Sequence, residues 1–148
     1  MRIAVTSRGT TPFAGVDRCF GRAYFFIIFD LQEKDWFVVD NHDVRNALGN
    51  AGQMASGLLQ EHDVQVVITG ETGPKAYRSL SASGVAVFHG AYGSVMDALQ
   101  GWISCELVAA DRANNPGSPD CLTEKIGQKK IYYDTPKLVL AGVHFVGG

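Results

Sequence analysis

One cysteine, Cys19, stands between two arginines in the segment GVDRCFGR, residues 15–22. Positive charge at Arg18 and Arg22 favours the ionised sulfur, and a thiolate is the ligand that soft metals and iron–sulfur clusters require. A loop that only turned the chain would need Gly, Asn, Asp or Pro and no thiol. Asp17, in the same loop, is expected to hold one of the arginines.

Two further segments carry residues of chemical interest. TGETGPK (69–75) contains Thr69, Gly70 and Gly73, and HGAYGS (89–94) contains His89, Gly90 and Gly93. Each follows a strand pattern and opens a helix, so each presents unpaired backbone N–H groups at the positive end of a helix. Together with Arg18 and Arg22 they define a crevice suited to an anion. The first segment lacks the GxxxxGK[ST] spacing of a phosphate-gripping loop, which argues against nucleotide hydrolysis. His89 is a candidate second metal ligand, and a hydrogen-bonded edge histidine is the plainer alternative. Cys105 shares a helix pattern with Leu99, Trp102 and Ile103 and reads as a small core residue. Cys121 falls in a loop pattern, SPDCLTE.

The elements that must position these residues alternate in type. RIAVTS (2–7), AYFFIIFDL (23–31) and DWFVVDN (35–41) read as a meander of three strands, the second apolar throughout and therefore buried on both faces. In NALGNAGQMASGLLQEHD the period changes, with Ala51, Met54, Ala55, Leu58 and Leu59 at helical spacing. A strand at 64–70, a helix with Pro74 at its first position and Gly84 at its C-terminal cap, a strand at 85–90 and a helix at 94–107 follow. Strand and helix in series imply right-handed crossovers and parallel pairing among the strands near 2–7, 64–69 and 85–89. Ligands of such sheets gather at the carboxyl ends of the parallel strands, where the three segments above all end. Beyond residue 107 the polar stretch DRANNPGSPD leads to KKIYYD and KLVLAGVHFVGG, which predict one or two extra strands or an ordered tail.

The chain has 148 residues, 46% hydrophobic and 19% charged, with a net charge of −2. That is about one soluble domain with a sizeable core, and its charge disfavours nucleic acid and acidic membranes as partners. No stretch reaches the roughly 20 apolar residues of a membrane span, and MRIAVTS enters a strand directly. A cytoplasmic location is expected. Three cysteines at long intervals suit neither a disulfide framework nor a CxxC zinc site, so reduced thiols are expected.

The segments MRIAVTS, VDRCFGRAYFFIIFD and VVITGETGPKAYRSLSASGVAVFHGAYGSVMDAL stand in the order of a known pattern. On FGR, TGxxGP and GxxG, residues 1–107 resemble the dinitrogenase iron-molybdenum cofactor biosynthesis family, which includes NifX-like carriers and the C-terminal part of NifB-like proteins. The resemblance implies an α/β, ribonuclease-H-like three-layer fold, with a five-stranded mixed sheet of order 3-2-1-4-5, flanking helices, and residues 108–148 as an extension. It also implies a non-enzymatic role: binding, carrying or storing an anionic metal–sulfur cluster, either iron–sulfur or a molybdenum-containing precursor. One small relative holds a molybdenum–copper sulfide cluster. Relatives carry Arg or His just before the Phe-Gly pair, where this chain has Cys19.

On this reading Cys19 and His89 are the metal ligands, Arg18 and Arg22 balance charge, and the backbone at Thr69, Gly70, Gly73, Gly90 and Gly93 lines the cluster. Cofactor-assembly proteins are the expected partners, and the chain is a monomer or homodimer. Two other functions remain open: a thiol-based redox or transfer enzyme using Cys19, and a regulatory module that binds proteins through KLVLAGVHFVGG. Against the enzyme, no resolving cysteine lies at CxxC spacing and no histidine is local to Cys19.

Overall fold

The computed structural model describes residues 1–114 and the backbone of the strand residues 139–140, 143–144 and 146–147. Three strands open the chain: β1 (Arg2–Ser7), β2 (Phe25–Asp30) and β3 (Asp35–Asp40). They form the expected antiparallel meander, with Ala4 opposite Ile28 and Ile28 opposite Phe37. A short α1 (His42–Arg45), which periodicity alone does not reveal, precedes α2 (Ala51–Glu61). The crossovers then run β4 (Val66–Ile68), α3 (Pro74–Ala82), β5 (Ala86–Phe88) and α4 (Val95–Ile103). β4 pairs with β1 and β5 with β4, both in parallel.

The mixed sheet has the order β3-β2-β1-β4-β5, as the resemblance implies. A C-terminal strand, β8 (Val146–Gly147), adds beyond β3 in parallel, with Val146 opposite Asp35. Two more short strands, β6 (Val139–Leu140) and β7 (Val143–His144), pair with each other. The KKIYYD segment lies outside the described residues.

Period-two alternation divides the apolar residues between two cores. Ile3, Val5, Ile27, Phe29, Val66 and Ile68 face α4 through Val95, Met96 and Leu99. Ala4, Phe26, Ile28 and Val67 face α2 and α3 through Ala55, Leu59, Ala76 and Leu80. The doubly apolar β2 follows from this arrangement, because both of its faces are covered.

Helix ends are set locally. Pro74 occupies the first turn of α3, and Gly84, with φ +77°, closes it while the N–H of Val85 bonds the Leu80 carbonyl at 3.0 Å. α4 ends at Ile103, four residues short of the expected limit. Cys105 there adopts φ +59°, and the N–H of Glu106 bonds the Gly101 carbonyl at 2.9 Å. Cys105 is therefore an exposed thiol just past the helix, and not the core residue that its spacing suggests.

Candidate functional site

The chain reverses its sheet neighbours at β1, which lies between parallel β4 and antiparallel β2. The long loop from Arg8 to Tyr24 leaves β1 at its carboxyl end. Its first half folds back as an arm: Arg8 N–H bonds the Gly15 carbonyl at 2.9 Å, and Val16 N–H bonds the Gly93 carbonyl at 2.8 Å. The second half carries Cys19. Phe20, fully buried, pins it to the core under α2 and α3, and truncating such a side chain to alanine costs about 3–5 kcal/mol.

Cys19 is held from two directions. Its N–H donates to Asp17 Oδ1 at 3.3 Å, and the Tyr24 N–H donates to Asp17 Oδ2 at 3.3 Å. Asp17 thus secures the backbone of the loop, while Arg8 and Arg45 act on it through charge alone. Burial raises its carboxyl pKa, opposed by those two N–H donors and by the two arginines. On the other side a parallel bridge joins Cys19 to Glu71: Glu71 N–H donates to the Arg18 carbonyl at 2.7 Å, and Phe20 N–H donates to the Glu71 carbonyl at 3.1 Å. The thiol-bearing loop is thereby fastened to the turn that opens α3.

The turn itself leaves no spare room. A β-carbon on Gly70 would lie 2.6 Å from the Arg18 carbonyl oxygen. Thr69 is fully buried, its hydroxyl 3.0 Å from that of Thr6. Thr72 Oγ1 lies 2.7 Å from His89 Nε2, so His89 reaches the same turn through a hydrogen bond. Glu71, an acid that no sequence pattern singled out, is buried and forms an ion pair with Arg18 at 3.5 Å.

The predicted residues separate into two groups. Arg18, Cys19, Thr69, Gly70 and His89 converge on the 69–73 turn, and Gly73 starts α3 in extended conformation with no side-chain cap. Gly90, with φ +80°, joins them by donating its N–H to the Gly70 carbonyl at 3.1 Å. Arg22 turns elsewhere: its Nη1 donates to the Arg45 carbonyl at 2.6 Å and the Ala47 carbonyl at 3.2 Å. Gly93 serves the arm through its carbonyl.

The expectation that α4 offers open N–H groups is corrected. Val95 N–H bonds the Ala14 carbonyl at 2.8 Å and Met96 N–H bonds the Pro12 carbonyl at 2.9 Å. Ser94 and Asp97 complete a reciprocal capping box, so the arm and the cap take the donors of this helix start. α2 approaches instead. A β-carbon on Gly21 would lie 2.6 Å from the Gly52 nitrogen, and one on Gly52 would lie 2.7 Å from Ala76 Cβ. The 19–22 loop, the first turn of α2 and the first turn of α3 therefore meet through glycines.

The expectation of reduced thiols also needs correction. Cys19 is disulfide-bonded, whereas Cys105 is free; Cys121 lies outside the described residues. A disulfide sulfur offers no thiolate, so Cys19 ligates only after reduction. Among the described residues no three His, Cys, Asp or Glu side chains are grouped to hold a metal ion, and no helix is long and apolar enough to cross a membrane.

Three layers, a mixed sheet of this order and loops gathered at its carboxyl edge define a ribonuclease-H-like α/β domain. The chain belongs to the dinitrogenase iron-molybdenum cofactor family, whose model matches residues 1–104. Among solved structures it is similar to the apo form of the orange protein from Desulfovibrio gigas, at 33% identity and TM-score 0.75 over 77% of this chain and 96% of that one. It is also similar to a Thermotoga protein described as NifB, at 29% identity and TM-score 0.65 over 73% of this chain and 91% of that one. A Methanocaldococcus jannaschii protein described as a dinitrogenase shares the fold, at 17% identity and TM-score 0.55 over 76% of this chain and 96% of that one. No curated protein matches the chain. Family and neighbours point to the biosynthesis or handling of the iron-molybdenum cofactor.

Proposed function

We propose that this protein binds and carries an anionic metal–sulfur cluster as cargo, without catalysing a reaction on it. The observation that supports this most directly is the bridge between Cys19 and Glu71, which fixes a soft ligand beside an uncapped helix start in a member of this family. After reduction Cys19 is the first ligand and His89 the second. Arg18 supplies positive charge, in part offset by Glu71, while Arg22 commits its Nη1 to the Arg45 and Ala47 carbonyls and stands outside the site. The backbone at Thr69, Gly70, Gly73 and Gly90 forms the wall of the site, and Gly93 holds the arm instead. The iron–sulfur or molybdenum-containing cargo arrives from and leaves to cofactor-assembly proteins in the cytoplasm, with no role for nucleic acid or membrane. The 1–107 domain carries the cargo site, as a monomer or homodimer.

Anaerobic reconstitution of reduced protein with iron or molybdate and sulfide tests this, with visible spectra and metal analysis of wild type and Cys19→Ala. Bound metal in the wild type and its loss in the variant are expected. Equal retention in both removes Cys19 from the site, and no retention in either removes the carrier role.

A second reading gains support from the disulfide at Cys19, the state that a redox-active thiol passes through. Here Cys19 exchanges electrons with a thiol partner and holds no metal. A Cys19 reduction potential below about −300 mV, the range of structural disulfides, would count against it.

A further inference from the structure

The 70–72 turn has two neighbours, and they sit on opposite edges of it. Glu71 bonds through both N–H and C=O to the Arg18–Phe20 segment. Gly70 and Thr72 face the other way, toward Asn114. The Asn114 carboxamide donates to the Gly70 carbonyl at 3.0 Å and accepts from the Thr72 N–H at 2.9 Å, and the Asn114 N–H donates to the Thr72 carbonyl at 3.2 Å. A side-chain carboxamide presents one acceptor and N–H donors in the pattern of a peptide group. Asn114 thus completes a three-segment ladder, 18–20 beside 70–72 beside 114, in place of a backbone strand.

Residue 114 reaches this position along a defined strap. Ala109 bridges Phe88 at the β5 edge, Ala110 N–H bonds the Val87 carbonyl at 2.7 Å, and the Tyr77 hydroxyl donates to the Ala110 carbonyl at 2.9 Å. The family match stops at residue 104, so the strap lies wholly beyond it. We infer that Asn114 is a positioning residue of the cargo site: by holding Gly70 and Thr72 it fixes Glu71, and through Glu71 it fixes the backbone on either side of Cys19. This rests on the carrier reading for its purpose, although the coupling itself is measurable without cargo.

Amide hydrogen exchange resolved at Phe20, Glu71 and Thr72 tests it in the full-length protein. Asn114→Ala is expected to speed exchange about tenfold at Phe20 and Glu71, whose N–H groups donate to the Glu71 and Arg18 carbonyls, as well as at Thr72. Faster exchange at Thr72 alone overturns the inference, because the strap then only covers the turn. Asn114→Asp supplies a second variant. While ionised it keeps its acceptor for the Thr72 N–H but has no donor for the Gly70 carbonyl, so protection at Phe20 and Glu71 should lie below wild type; once protonated it presents one donor and one acceptor and should regain wild-type protection as the pH falls. An Asp variant without that pH dependence also overturns it. Iron retention after reconstitution with iron and sulfide should fall several-fold in Asn114→Ala. Absence of iron in the wild type would sink the carrier reading while leaving the exchange result to decide the role of Asn114.

Discussion

Gly70 and Arg18 are in backbone contact so close that a β-carbon at residue 70 would lie 2.6 Å from the Arg18 carbonyl oxygen. The obstacle is main chain, already committed to the Glu71 N–H, and cannot swing aside as a side chain would. Gly70→Ala is therefore expected to cost about 2–3 kcal/mol, the upper part of the range for overpacking, and to loosen the Cys19 loop. Chemical denaturation of the purified variant measures the first. A variant as stable as wild type would show that the loop and turn can part cheaply.

The start of α4 supplies the contrasting case. Ser94 caps it from within, and the arm takes its remaining donors. Ser94→Ala should lower stability by about 1 kcal/mol, as loss of an N-cap does, and leave iron retention unchanged. Retention that falls in step with Gly70→Ala would return α4 to the cargo site.

Much of the fold was legible because it rests on periodicity. The apolar run at β2, the helical spacing from Ala51 to Leu59, Pro74 and Gly84 each report a local rule that the structure obeys. The site was legible only where residue type betrays chemistry, as at Cys19, Arg18 and His89. Glu71, Thr72 and Asn114 were not, since their part depends on contacts between residues 42 to 53 positions apart in sequence, or on a buried charge that composition cannot place. Arg22 and the α4 start misled for a related reason. A cation or a helix N-terminus signals affinity for an anion, and in both places the chain itself supplies carbonyl oxygens.

Acid should weaken the fold through Asp30. Its carboxyl lies below the usual 3.8 because the Glu33 N–H and then the Arg2 side chain bond the carboxylate. A lowered folded pKa adds stability above the unfolded value and loses it as the pH falls through the folded one. Asp17 runs the opposite way: with its pKa raised, its contribution is complete below the unfolded value and is lost as pH rises through the folded one. Asp30→Asn is therefore expected to cost about 1–2 kcal/mol at neutral pH, with the difference from wild type vanishing on acidification below the usual carboxylate range. A difference that persists at pH 2 would show that Asp30 acts through packing and not through its charge.

Cargo uptake should depend on prior reduction. Cys19 is disulfide-bonded, and opening that bond takes two electrons and two protons from a dithiol reductant to yield two thiols. Alkylation followed by peptide mapping is expected to label Cys105 with or without reductant, since it is an exposed free thiol, and Cys19 only after reduction. Iron supplied with sulfide should then bind the reduced protein and not the oxidised one, while Cys105→Ser behaves as wild type. The sulfide in such an experiment is itself a reductant, so the oxidised sample must be mapped again at the end to show that Cys19 stayed blocked. Full labelling of Cys19 before any reductant would refute the disulfide. Equal iron uptake by protein whose Cys19 remains blocked would instead leave the thiol without a part in holding the cargo.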